Sequence, residues 1–225
     1  MGNRKLNFSI GEFYHVFNRG VDGRNIFLDN NDIERFIQGM IEFNSCDPIG
    51  SLYSLSFKGE KKDKKPNLNK DGKRLVNIIC YCLNPNHYHL ILEEVSEGGI
   101  SEFMKRIGGY TYYFNKKHDR FGSLFQGVFK AVHIKSNEQL LHVSCYVNLN
   151  DHVHKLNKLR GETSKFVESV SSFEEYIGDG DRLICDKNVV LKQFKNKEDY
   201  KRFAFESLED SLKVKEIANE LKDLI

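Results

Sequence analysis

Two apolar runs, Leu75–Leu83 and His87–Glu93, are separated only by Asn84-Pro85-Asn86. The first run is rich in branched residues, the second alternates, and the three residues between them are turn formers, so the pattern predicts a β-hairpin. Two histidines one residue apart, His87 and His89, open its second strand. Side chains alternate faces along a strand, so these imidazoles point one way while Tyr88 and Leu90 point the other. A pair of imidazoles on one face can hold one cation.

Other segments surround the hairpin with strands and helices. Glu12–Phe17 alternates loosely and ends at Asn18-Arg19-Gly20, a strand followed by a turn. Asp29-Asn30-Asn31-Asp32 offers N-cap residues to a helix whose apolar face is Ile33, Phe36, Ile37, Met40 and Ile41 and which should stop near Asn44. Ser51–Phe57 reads as a strand, and Lys58–Arg74, polar and without periodicity, as a flexible basic insertion. Ile100, Phe103, Ile107, Tyr110 and Phe114 trace one helical face, Phe125–Ile134 reads as a strand, and a helix over Asn137–Leu149 carries Tyr146. The order predicts an α+β domain with helices packed on an antiparallel sheet. The division expected is a domain over 1–160 and a helical C-terminal extension over 161–225. In the extension, helix starts fall at Ser171–Tyr176 and Lys197–Tyr200, and Glu206–Leu224 is amphipathic.

At 225 residues, 40% hydrophobic and 29% charged, the composition is that of a soluble globular chain long enough for a substantial core. No run approaches the roughly 18 apolar residues of a membrane span, and the N-terminus has no apolar signal region, so a cytoplasmic location without membrane partners is expected. Position 6 is Leu, where a myristoylation signal wants Ser or Thr. Five cysteines without an export signal read as free thiols in a reduced compartment. The net charge of +2 conceals an asymmetry. Lys58–Arg74 carries eight Lys/Arg against three acids and Ser101–Lys135 seven against two, while Gly161–Ile225 carries eleven against fifteen. A basic front of this kind suits a polyanionic partner.

Tyr146 and Asn150, four residues apart on a helix, place a phenol and an amide on one face. Two imidazoles, a nucleophile and a further polar ligand suggest phosphodiester chemistry. A divalent cation neutralises a non-bridging oxygen and stabilises the leaving alkoxide, and the mixed nitrogen and oxygen donors suit Mg²⁺ or Mn²⁺. Tyrosine attack on phosphorus conserves the ester energy, which permits rejoining.

Four blocks in order, Phe13–Gly20, Cys82–Leu92, Gly122–Lys130 and Cys145–Asn150, resemble those of the HUH single-tyrosine transposases of bacterial insertion sequences, especially the REP-associated tyrosine transposases. They spread over roughly residues 10 to 155, and Phe173–Gly178 is similar to the segment that follows the catalytic domain in longer members. The resemblance implies a ferredoxin-like fold, a metal site at His87 and His89, a nucleophile at Tyr146 and a third ligand at Asn150. It also implies a 5′-phosphotyrosine intermediate on single-stranded or hairpin DNA, with palindromic repeats as a candidate target. Asp151 stands where the family usually has proline, and it is an alternative third ligand. Some relatives are dimers and longer ones monomers, so both states are open, with the helical tail favouring the monomer.

Candidate DNA contacts are Lys105, Arg106, Lys116, Lys117, Arg120 and Lys130 for phosphates, Tyr112 and Tyr113 for stacking on bases, and Gln126 from a matching block. Other readings use the same residues. Cys80 and Cys82 with the histidines would make a Cys₂His₂ zinc site if Cys82 lies opposite His87. His152-Val153-His154 is a second His-x-His. A DNA-binding or regulatory protein that no longer cuts would need only the basic face and the stacking tyrosines.

Overall fold

The computed structural model describes residues 7–47, 73–152, 167–178 and 182–222, with side chains of the last helix through 210. The expected strand Ser51–Phe57 and most of the basic insertion lie outside these residues. Among the described residues five strands form one sheet: β1 (Phe13–Arg19), β2 (Val76–Asn84), β3 (His87–Glu94), β4 (Lys130–Ile134) and β5 (Val170–Ser171). Their order is β4-β1-β3-β2-β5, and every neighbouring pair is antiparallel. With α1 (Asn30–Glu42) between β1 and β2, and α2 (Gly99–Gly108) and α3 (Tyr110–Lys117) between β3 and β4, the first four strands follow the ferredoxin-like βαββαβ plan. The α+β, ferredoxin-like expectation therefore holds, with β5 added at the β2 edge.

Local chemistry accounts for these boundaries. Asp29 caps α1 by accepting from the Asp32 N–H at 3.0 Å, and Ile33, Phe36, Ile37 and Met40 form its buried stripe. The single helix expected through Phe114 is two, because Gly108-Gly109 interrupts it. The strand expected over Phe125–Ile134 is regular only from Lys130; before it, Phe125 makes an isolated bridge to Gly20.

The sheet has a core on each face. Tyr14, Val16, Tyr81, Leu83, Tyr88, Leu90 and Leu92 pack under α1, α2 and α3. On the other face, Cys80, Cys82 and Ile91 pack against α4 (Asn137–Asn148) and helices of the C-terminal segment, α5 (Phe173–Ile177), α6 (Asn188–Leu191) and α7 (Lys197–Lys222). The register of β2 shifts between Ile78 and Cys80, so Ile79 is an extra residue and Cys80, Cys82 and Asn84 turn toward this second face. The described residues after 166 are mostly helical, and they also supply β5 and half of the second core.

Candidate active site

The hairpin tip is held from outside the hairpin. Gly20 N–H donates to the Asn86 carbonyl at 2.8 Å, and Ile26 and Phe27 N–H donate to the Pro85 carbonyl at 2.7 and 3.0 Å. Glycine is needed at position 20 for the loop to fold back on itself, since a Cβ there would lie 1.9 Å from the Arg24 carbonyl oxygen. From the fixed tip, β3 directs His87 and His89 onto the second face, as period-2 alternation predicts, with ring centroids 4.9 Å apart. Across β2, Asn84 stands opposite His87 and Cys82 opposite His89.

The end of α4 closes over the same face. Ser136 caps its start by accepting from Gln139 N–H at 3.1 Å. Its last turn brings the Tyr146 ring edge-on to His89 at 5.5 Å. Asn150 lies one turn beyond, buried, with Oδ1 3.4 Å from His87 Nε2. Asn84 Nδ2 donates to Asn150 Oδ1 at 2.8 Å and lies 3.1 Å from His87 Nε2. Asp151 is also buried. Burial raises the Tyr146 phenol, and its hydrogen bond to Asn150 pulls the other way.

Sequence reasoning passed over four contributors. His15, on β1, places Nε2 2.9 Å from His89 Nδ1, and its ring meets Tyr146 edge-on at 6.1 Å. Burial lowers the His15 imidazole to about 4, so it is neutral at physiological pH. Asn84 and Asn86, read as turn residues, both touch His87. Arg19 stands opposite His87 in the β1–β3 register, and with Gln126 and Lys130 it lines the groove beside the two histidines. Strand parity alone would have put His15 and Arg19 on one face of β1; that β1 neighbours β3 is the missing fact, and only the topology supplies it.

The other candidates are scattered. Tyr112 and Lys116 are exposed on α3, on the opposite side of the sheet. Tyr113 lies between the Arg35 guanidinium and the Lys117 ammonium, 5.2 and 5.8 Å from its ring centre. Arg106 is bound to Glu102 at 2.9 Å and donates to the Phe43 and Ser45 carbonyls, and Lys105 also pairs with Glu102. Lys117 bonds Asp29 at 2.6 Å and the fully buried Asp32 at 2.8 Å, and Arg120 braces the loop through Asn115 and the Ser123 carbonyl.

The Cys₂His₂ zinc arrangement is not formed among the described residues. Cys82 faces His89 and not His87, both Cys80 and Cys82 are wholly buried, and these four do not gather. Among the described residues only Asp29, Asp32 and His118 bring three His, Cys or acidic ligand atoms within 4.8 Å, and the Lys117 ammonium already sits there. His152 packs edge-on against Phe173 and Phe205, and His154 lies outside the described residues. His87, His89 and the Asn150 amide oxygen would offer a cation two nitrogens and an oxygen.

Comparison with solved structures finds a REP-associated tyrosine transposase bound to a REP hairpin, with a TM-score of 0.45 and 14% identity over 82% of this chain and 90% of that one. The likeness is too distant to carry residue roles. No family model and no curated protein matches the chain. No helix among the described residues is long and apolar enough to cross a membrane.

Proposed function

We propose that this chain is a metal-dependent DNA strand transferase, of the kind its sequence resembles, that cleaves and rejoins single-stranded or hairpin DNA through Tyr146. The observation that carries the reading is the convergence of Tyr146, His87, His89 and Asn150, from a hairpin and a helix distant in sequence, on one face of the sheet. His87, His89 and Asn150 would hold Mg²⁺ or Mn²⁺, which supplies Lewis acidity at a phosphate oxygen. The Tyr146 oxygen attacks phosphorus: the Oη–P bond forms, the P–O3′ bond breaks, the phenol gives up its proton and the 3′ oxygen takes one. A strand end is then held as a 5′-phosphotyrosine, and attack by a 3′ hydroxyl restores the diester and the phenol. Lys130, Gln126 and Arg19 border the groove where the backbone would run. The nucleophile and the histidines belong to one chain, which supports a monomer over a homodimer as the acting species.

The test is incubation of the full chain with end-labelled hairpins bearing randomised single-stranded tails, in Mg²⁺ or Mn²⁺, followed by a denaturing gel. Wild type forms a covalent adduct, while Tyr146→Phe, His87→Ala and His89→Ala do not. A wild type that forms none on any substrate sinks the transferase reading. Salt-dependent binding retained by His87→Ala would then identify a DNA-binding protein that does not cut.

A further inference from the structure

An imidazole can hold a metal only through a nitrogen that carries a lone pair, and the partner of the other ring nitrogen decides which one that is. For His87 the partner is Asn86. Asn86 Nδ2 donates to the Gly23 carbonyl at 3.3 Å, which turns Oδ1 toward His87 Nδ1 at 2.7 Å. An amide oxygen only accepts, so Nδ1 carries the hydrogen and Nε2 the lone pair, toward which the Asn84 Nδ2 donor points at 3.1 Å.

His89 needs the same arrangement and has another source for it. In the β1–β3 register Phe17 stands opposite His89 and His15 opposite Ile91, so His15 reaches His89 on the diagonal. Its Nε2 lies 2.9 Å from His89 Nδ1, with the rings stacked 5.1 Å apart at 23°. At that distance one nitrogen must donate and the other accept. A phenyl ring would pack beside Phe17 equally well, but it has no atom that can accept from His89.

We propose that His15 is a positioning residue whose Nε2 accepts the Nδ1–H of His89, fixing His89 in the tautomer that offers Nε2 to the cation, as Asn86 does for His87. This rests on the reading of His87 and His89 as metal ligands. The opposite polarity, His15 donating, would leave hydrogen on His89 Nε2 and disable it as a ligand.

The experiment uses the full-length chain. Long-range ¹H–¹⁵N correlation on the metal-free protein, with the His89 signals assigned by their loss in His89→Gln, should show His89 as the Nδ1–H tautomer. Loss of the free Mn²⁺ resonance signal should then show His15→Phe binding Mn²⁺ about 10- to 100-fold more weakly than wild type. His15→Gln, whose side-chain carbonyl can accept, should recover most of that loss. An Nε2–H tautomer for His89, or a folded His15→Phe that binds Mn²⁺ as wild type does, overturns the proposal, and so does a His15→Gln as weak as the phenylalanine variant. Should His15→Phe fail to fold, the wild-type tautomer and the glutamine variant decide. Equal Mn²⁺ binding by wild type and His87→Ala would instead remove the metal-site reading, while the tautomer still judges the His15–His89 bond.

Discussion

Asn148, in the last turn of α4, donates its side-chain amide to the Tyr200 hydroxyl at 2.7 Å, in the middle of the second core. Its Oδ1 accepts from Ser172 Oγ at 2.6 Å, and the same hydroxyl oxygen accepts from Tyr81 N–H on β2. Tyr146 lies two residues before Asn148. The C-terminal segment thus fixes, through Ser172 and Tyr200, the helix turn that carries the proposed nucleophile against the strand next to the histidines.

Tyr200→Phe leaves the Asn148 amide with a buried donor unmet. The expected cost is about 1–3 kcal/mol of stability, read from urea denaturation. Adduct formation should fall further than DNA affinity, because the change disturbs α4 and not the groove. Unchanged stability would show that the hydrogen bond contributes nothing net.

Cations near the groove and cations in the scaffold should respond oppositely to removal. Lys130→Ala is expected to weaken binding of any single-stranded DNA and to lower the salt slope of log K by about 1. Lys117→Ala should instead cost about 2–3 kcal/mol of stability by stripping the ammonium from fully buried Asp32. Fluorescence anisotropy across a salt series and thermal unfolding separate the two. A Lys117 variant that loses DNA affinity at full stability would reverse the assignment.

The boundary between what the sequence disclosed and what it withheld is physical. Helix α1 and the hairpin were legible because a capped apolar stripe and a turn between two apolar runs are local signals. Tyr146 and Asn150 share a face because helical spacing makes them do so. His15 was hidden because its value depends on which strand lies beside β1, a long-range fact. The extra residue at Ile79 was hidden because a bulge changes parity without changing composition. Two-residue β5 has no periodicity to read. Arg106 and Lys117 looked like phosphate contacts because a charge count does not reveal that Glu102 and Asp32 already engage them.

Thiol chemistry offers a check on the second core. Cys80, Cys82 and Cys145 are fully buried, and burial pushes the Cys145 thiol up to about 12, whereas Cys46 is exposed. Ellman's reagent on the native protein should modify Cys46 rapidly and reach these three only on unfolding. Rapid native reaction of Cys145 would contradict the packing of α4 on the sheet.

Glu175 makes the C-terminal segment pH-sensitive. Burial raises its carboxyl above the ordinary value of 4.5, against the pull of the Cys185 and Ile184 N–H groups that donate to Oε2 at 3.1 and 2.9 Å. The folded state therefore holds the proton more tightly than the unfolded state. The stability linked to that proton is complete below pH 4.5 and is lost as pH rises through the folded value. Glu175→Gln keeps an oxygen for the two N–H donors and carries no charge to desolvate, so it escapes this loss. Stability of the variant minus that of wild type should then increase from about pH 4 to about pH 7, read from urea midpoints at each pH. A difference that stays flat or falls over that interval would mean that Glu175 ionises in the folded protein as readily as in the unfolded chain, and that its hydrogen bonds to residues 184 and 185 offset its burial in full.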